Sequence, residues 1–309
     1  MDRFESMRIF VAVAESQGFA AAARQLRLSG PMVTRAVAAL EAHLGARLLH
    51  RTTRQVRVTE TGQRYLLDCK RILAEMDEAD ALAGGAHVVP KGHLIVTAPV
   101  LFGRIHIAPL LMSFLQAHPQ VTARAFFVDR VVNLMEEGVD VALRIAHLPD
   151  SSLTAVRVGA VRRVIVASPD YLARRGEPMS PADLAEHEAL GSSTTGGPAS
   201  PWLLAAQPGQ GDKLVQGPQP RIQLTLNGVE VGIMAAKAGH GLARVLSYQV
   251  RDEVAAGHLR IVLQAYEPTP IPVYLVYSEG RSAAAKVRAF VDFAAQQLRA
   301  HPALNPQAG

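Results

Sequence analysis

The chain has 309 residues, 49% of them hydrophobic and 19% charged, which is the composition of a folded protein and the length of two or three domains. Asp2, Glu5 and Glu15 break the first apolar stretch, no apolar run approaches the ~18 residues of a membrane span, and the single Cys69 cannot form an intrachain disulfide, so a cytoplasmic protein is expected. The net charge of +5 is concentrated at one end: residues 1–64 carry ten arginines against five acids, and the other 22 basic and 22 acidic groups cancel, which points to a polyanion bound near the N-terminus.

Over residues 2–16, Phe4, Met7, Val11 and Ala14 recur at helical spacing with Phe10 and Val13 alongside, and Gly18 ends the run. A second helix is expected over 19–26. Ser29 is a good N-cap and Pro31 falls in the first turn, so a third helix should run from about Gly30 to His43. Its buried stripe is Val33, Val37, Leu40 and Leu44, and its outer face is Gly30, Thr34 and Ala38 beside Pro31 and Arg35. A face this bare of long charged pairs can press against another macromolecule. Beyond Gly45, Val56 and Val58 alternate with Arg57 and Thr59 as in a short strand, and Arg47, Arg51, Arg54 and Arg57 occur with no acid between Ala42 and Thr59.

A long helix is expected from Glu60 to Ala83, with Leu66, Cys69, Leu73 and Met76 on one stripe, the spacing of a two-helix seam through which the chain would dimerise. On such a stripe Cys69 reads as a small buried residue before it reads as a redox sensor. Gly84-Gly85 ends the helix and Pro90-Lys91-Gly92 reads as a hinge. From His93 onward, strand-like runs (HLIVTA, VTARAFFV, VDVALRIA, VRRVIVAS, PRIQLTL, HLRIVL, PVYLVYS) alternate with helical ones (GRIHIAPLLMSFLQAH, RVVNLMEEG, GVEVGIMAAKAG), and a last helix spans about Arg281 to Arg299. Such alternation implies a parallel sheet with helical crossovers.

The tract SQGFAAAARQLRLSGPMVTRAVAALEAHLGARLLHRTTRQVRVTETG resembles the LysR-type transcriptional regulators: the helix pair, the segment from Ser29 to Arg35, Leu40-Glu41 with Leu44-Gly45, Leu48-Leu49-His50-Arg51, and Thr59 with Thr61-Gly62 stand at that family's spacing. Pro109-Leu110-Leu111 with Phe114, His118-Pro119, Glu137 to Ala142, and Gly239-His240-Gly241-Leu242 carry the resemblance along the rest of the chain. Three short helices followed by a basic strand pair also read independently as a winged helix-turn-helix whose third helix enters the major groove. Pro31, Met32, Thr34 and Arg35, with Ser29 at the helix start, should lie nearest the base edges, and Arg51, Arg54 and Arg57 should meet phosphates or the minor groove. Gly30 departs from the family, which usually has a polar residue there, often Gln, so readout at that point passes to Thr34 and Arg35 or to DNA shape.

The resemblance implies an α/β chain with a winged helix-turn-helix at 1–59, a linker helix and hinge at 60–91, and a bilobed, periplasmic-binding-protein-like effector domain at 92–309. Its two Rossmann-like lobes would be 92–161 with 267–300, and 162–266. An effector is expected in the cleft between them, among Val100, Leu101, Phe102, Arg144, Ser192, Ser193, Thr194, Asn227 (at a helix start) and Val245. The helix starts there favour an anion, but Pro99 to Phe102 supply no hydroxyl, which favours an apolar or aromatic effector.

Ser192 to Gly197 lacks the lysine of a phosphate loop, and Gly239-His240-Gly241 follows a helix, so it reads as a helix cap and not as a dinucleotide fingerprint. The eleven histidines show no zinc spacing, and no hydrolase motif occurs, so neither catalytic residues, metal nor cofactor are expected. A solute-binding protein for transport shares the bilobed plan but has no use for a basic N-terminal unit, and an enzyme would have to turn over what it binds. The expected partners are an operator in double-stranded DNA, a small-molecule effector, further copies in a homodimer or homotetramer, and RNA polymerase if the protein activates.

Overall fold

The computed structural model describes residues 2–51, 56–83, 89–193, 198–278 and 283–305. The chain divides into two compact units, Met1–Gly92 and His93–Gly309.

In the first unit α1 (Arg3–Ser16), α2 (Phe19–Leu26) and α3 (Gly30–Leu44) pack around Met7, Phe10, Val13, Ala22, Val33, Val37 and Leu40. The helices stop where the backbone turns left-handed, at Gln17, Arg27 and Gly45. Only the last is a glycine, the residue that takes this conformation without steric cost. A wing follows, made of β1 (Leu49–Arg51) and β2 (Val56–Val58), antiparallel, with Leu49 opposite Val58. Glu41 of α3 ties it down, its carboxylate accepting from the Leu48 and Leu49 N–H groups at 2.8 and 3.1 Å. The Thr59 hydroxyl donates to the Arg47 carbonyl at 2.8 Å and accepts from the Gly62 N–H at 2.9 Å, capping α4 (Glu60–Ala83). Gly62 has to be a glycine, because a Cβ there would stand 2.0 Å from the Leu48 carbonyl oxygen. The spacing of Glu41, Thr59 and Gly62 thus follows from one junction between helix, wing and helix.

The seam expected on α4 needs a correction. Cys69 is 0% exposed and Leu73 only 8%, and both close the core of the same unit. The partner helix is α1, which also supplies Phe10 against Tyr65 (ring centroids 5.9 Å) and Glu15 to Lys70 (2.6 Å). Leu66 packs on this core too, whereas Leu67 is 64% exposed. Spacing that alternates between three and four residues reports a partner helix without saying whose chain it belongs to.

The second unit begins with β3 (Gly92–Ala98), then a continuous helix made of α5 (Val100–Phe102), a π-helical turn (Gly103–Ile107) and α6 (Ala108–Ala117). Two residues with special constraints lie in or near the wide turn. Pro109 has no N–H for the regular ladder, and Gly103 lies so close to Phe127 that a Cβ would stand 2.3 Å from its ring. Val100–Ala117 is also long and apolar enough by composition to cross a membrane, contrary to the sequence reading. Leu101, Phe102, Ile107, Leu111 and Phe114 bury one side of it in the unit's core, and Arg104 on another side pairs with Glu230 at 2.6 Å.

β4 (Val121–Phe127), β5 (Val141–Ile145) and β6 (Leu153–Val161) complete the first pass through lobe one. The segment RVVNLMEEG before β5 is not the helix its composition suggests. Asn133 Oδ1 accepts from the Met135 N–H, and Glu137 takes both the Arg130 guanidinium (2.6 and 2.7 Å) and the Asn133 N–H, which folds the segment into turns ending at Gly138 with φ 63°.

After Arg162 the chain enters lobe two: β7 (Arg163–Ala167), α7 (Pro169–Arg175), β8 (Glu188–Ser192), a hairpin of β9 (Leu203–Ala205) and β10 (Leu214–Gln216), β11 (Arg221–Leu226), α8 (Val229–Lys237), β12 (Leu242–Leu246), α9 (Ser247–Ala255) and β13 (Arg260–Val262). It returns to lobe one through β14 (Ile271–Ser278) and α10 (Ala285–Ala300). The sheets run β4-β3-β5-β14-β6 and β11-β8-β12-β7-β13. Neither is all-parallel, as the alternation had implied: β14 is antiparallel to β5 and β6, and β7 to β12 and β13. The crossovers explain this, since the strand that follows each one enters its new sheet from the crossover end, against the direction of the strands already there.

One apolar core runs through both lobes, from Leu94, Val96 and Phe102 to Val164, Ile233 and Tyr248. The crossovers are clasped as well. The Arg162 N–H donates to Ser247 Oγ, the Ser247 N–H donates to the Arg162 carbonyl, and the Arg162 guanidinium reaches Glu267 of the returning crossover at 3.2 Å.

Candidate nucleic-acid interface and ligand cavities

Val33, Ala36, Val37 and Leu40 turn α3 inward, which leaves Ser29, Gly30, Pro31, Arg35 and Ala38 exposed and Met32 and Thr34 half-buried. A Cβ built on Gly30 meets nothing within 4 Å, so no packing demands the glycine. The Thr34 hydroxyl donates to the Gly30 carbonyl at 3.0 Å and so faces outward as an acceptor. Arg35 donates from Nε to the Pro31 carbonyl at 3.4 Å, which leaves the ends of its guanidinium fork for another partner. Arg57 is exposed on β2, and Arg51 pairs through its backbone with Val56 at the wing's end. Arg54 lies outside the described residues. Cys69 is far from reactive: burial pushes its thiol up to about 11, so at neutral pH it stays protonated.

In the second unit a cavity of about 450 Å³ opens between the lobes, lined from lobe one by Leu101, Arg104 and His106 and from lobe two by Glu230, Ile233 and Tyr248, among others. That volume is within the range of small-molecule sites. His106 forms part of its wall, 6% exposed, with its ring 4.6 Å from those of Phe102 and His301 and its Nε2 without a partner among the described residues. Burial first, then the neighbouring His301 and Arg251, lowers it to about 4, so it is neutral at physiological pH.

Of the residues expected in the cleft, Leu101 lines this cavity and Ser192 a different one. Phe102 and Val245 are buried in the core, Arg144 donates to the Val132 carbonyl at 2.8 Å, Ser193 is buried with its N–H on Leu226, and Thr194 lies outside the described residues. Asn227 is not the N-cap of α8, because Gly228 takes that position. The helix start at Val100 is already occupied: its N–H donates to Asp129 Oδ1 at 3.0 Å, so a carboxylate of the chain sits where an anion was expected. The arginines of lobe two went unnoticed in the sequence. Arg163 and Arg244 line a second, smaller cavity with Leu190, Ser192, Ser200 and Trp202. The available signal was a charged residue inside each of two apolar strands, RVIVA and LARVL.

Residues 4–63 match the bacterial regulatory helix-turn-helix protein, lysR family, and residues 87–299 match the LysR substrate binding domain. The chain belongs to the LysR family of transcriptional regulators. Among its LysR-type relatives are the regulator DmlR of Escherichia coli K12, 34% identical over 96% of this chain and 94% of that one, and CrgA of Neisseria meningitidis serogroup C, 34% identical over 95% and 96%. The solved structure of CrgA, a LysR-type regulator from Neisseria meningitidis, superposes with a TM-score of 0.58 at 31% identity over 95% of this chain and 98% of that one. That of the full-length Vibrio cholerae virulence activator AphB gives 0.57 at 26% over 95% and 98%. The LysR chain described here is therefore a DNA-binding transcriptional regulator with an effector-binding domain, and its relatives are named as regulators, not as enzymes.

Proposed function

We propose that the protein reads an operator with the outer face of α3 and answers to an effector held between the two lobes, as a homodimer or homotetramer in the cytoplasm. The reading of DNA rests above all on that face: Ser29, Pro31 and Arg35 are exposed, Gly30 has open space around it, and residues 1–64 of the same unit carry ten arginines against five acids. Thr34, Met32 and Arg35 take the base edges, and Arg51, Arg54 and Arg57 take the phosphates.

The inter-lobe cavity supports the effector reading. Arg104 of one lobe and Glu230 of the other already meet there at 2.6 Å, so a molecule in it touches elements of both lobes and favours one of their arrangements. Its lining of Leu101, Ile105, Ile233, Met234 and Tyr248 around a few charges suits an aromatic or apolar body with a polar edge. A fluorescence-anisotropy titration of promoter fragments tests the first part. Arg35→Ala should lose the preference for the operator over random DNA, and a preference kept intact would place readout elsewhere. For the second part, Ile233→Trp fills the cavity and should abolish the effector's influence on DNA binding while leaving operator affinity in its absence unchanged.

A further inference from the structure

Two guanidinium groups share one face of the lobe-two sheet with no carboxylate paired to them among the described residues. Along the β7–β12 ladder Arg244 stands opposite Ile165 and Arg163 opposite Leu246, so the arginines are diagonal neighbours with side chains on the same side. That side is identified by its apolar neighbours: Ile165 and Leu242, two residues away on each strand, pack with Trp202, and the Arg244 guanidinium lies 5.6 Å from the Trp202 ring. Both arginines are half-buried, and neither guanidinium has an ion pair or hydrogen bond among the described residues. Burial lowers both, and the Arg163 charge adds to this at Arg244, which falls to about 10. Like charges brought together in a partly desolvated place are costly unless something of opposite sign joins them.

We infer that this cavity, walled by Arg163, Arg244, Trp202, Ser192 and Ser200, is a binding site for a small oxyanion, either a short-chain carboxylate or inorganic phosphate. Its volume of about 110 Å³ has room for about four waters' worth of ligand, which excludes a nucleotide or a large aromatic acid. Two guanidinium forks supply planar sets of donors that match oxyanion oxygens, Ser192 and Ser200 add hydroxyls, and the indole closes one wall. The site goes beyond the inter-lobe effector site, since all its lining residues belong to lobe two. It also has a route to the rest of the unit. Arg163 directly follows Arg162, whose clasp on Ser247 and Glu267 holds the two crossovers, so an anion on Arg163 acts beside the point where the lobes are joined.

Trp202 is the chain's single tryptophan, so its fluorescence reports this site and nothing on the DNA-binding unit, where anions also collect. The test is a titration of the full-length protein with sodium malonate, sodium phosphate and, at matched ionic strength, sodium chloride. The expected result is a saturable change in emission with malonate, phosphate or both and none with chloride. The arm that saturates names the source of the oxyanion. Arg163→Lys, which keeps the charge but loses the fork, should weaken the midpoint at least tenfold. Arg163→Met, which leaves Arg244 against Trp202, should abolish the change, its fold checked by circular dichroism. No saturable change in the wild-type protein, or the same midpoint in Arg163→Lys and in a folded Arg163→Met, would overturn the proposal and leave the inter-lobe effector site untouched.

Discussion

The two units carry their arginines in opposite ways. In the first unit Arg35 and Arg57 stand on exposed surface, in a region whose positive excess is visible by counting. In the second, Arg163 and Arg244 are set into a sheet between apolar neighbours, in a unit whose 19 basic and 17 acidic residues nearly balance. The first arrangement suits a long polyanion approached from water, where many weak, screened attractions add up. The second suits one compact anion, for which a few donors held in a drier place each count for more. Net charge by region finds the former and is blind to the latter.

The sharpest way to break the comparison is to put a charge inside the first unit. Leu73 is 8% exposed in the apolar core between α4 and α1. Leu73→Asp should therefore destabilise that unit by about 4 kcal/mol, the cost of an unpartnered buried carboxylate added to a missing apolar side chain. The measurement is urea denaturation followed by circular dichroism alongside light scattering. A mutant that stays folded but falls to monomers would restore the intermolecular seam read from the sequence.

That outcome also marks how far the sequence could be read. The helices of the first unit were legible because their caps and stripes are local: Ser29, Pro31 and Gly45 bound α3 without help from elsewhere. The partner of the α4 stripe was not, since Cys69 and Leu73 look alike whether they face α1 or a second copy. In the second unit the alternation of strands and helices gave an α/β fold and the resemblance supplied the two lobes, but strand direction depends on the crossovers, which periodicity does not encode. The helix expected over RVVNLMEEG yielded to the side chains of Asn133 and Glu137, which bind backbone and Arg130 instead. The cleft residues were placed by analogy of position, and Asp129, distant in sequence, turned out to occupy the helix start at Val100.

His106 tests the second unit's handling of buried charge by pH. Its folded value near 4 is below the ordinary histidine value of about 6.5, so the unfolded chain binds the proton more readily. Its contribution is fully present above pH 6.5 and is lost as the pH falls from there to 4, amounting to about 3 kcal/mol across the window. His106→Gln, neutral throughout, should flatten that part of the pH dependence in denaturant melts. An unchanged slope would mean that the ring is solvated or paired on protonation.

Next in size is an effect of opposite sign. Arg244→Met removes one member of a like-charged, half-buried pair and leaves a side chain of similar length against Trp202. In chloride buffer the variant should be more stable than the parent by about 1 kcal/mol, the relief of desolvation and repulsion less the attraction of the guanidinium for the indole face. In the first unit Arg35→Met, on open surface, should move stability by less than about 0.5 kcal/mol. Equal effects at the two positions, read as shifts in the denaturation midpoint, would erase the distinction between the units.

The smallest effect on folding, and the one most specific to the first unit, belongs to the wing. Arg51 and Arg54 are among the arginines assigned to phosphates, and the sequence from Ala42 to Thr59 contains no acid. Replacing both with Ala should leave stability within about 0.5 kcal/mol, as surface substitutions do. An arginine that neutralises a phosphate releases the counterions condensed there, and two such arginines are absent from the variant. The slope of log K against log salt for duplex DNA should therefore fall in magnitude by about 1.8. Operator and random duplexes should weaken alike, because phosphates carry no sequence. Arg163→Met, whose charge is in the sheet of lobe two, should leave that slope unchanged. If instead the wing variant kept its salt slope but changed its sequence preference, Arg51 and Arg54 would be base readers, and the division between α3 and the wing would have to be reversed.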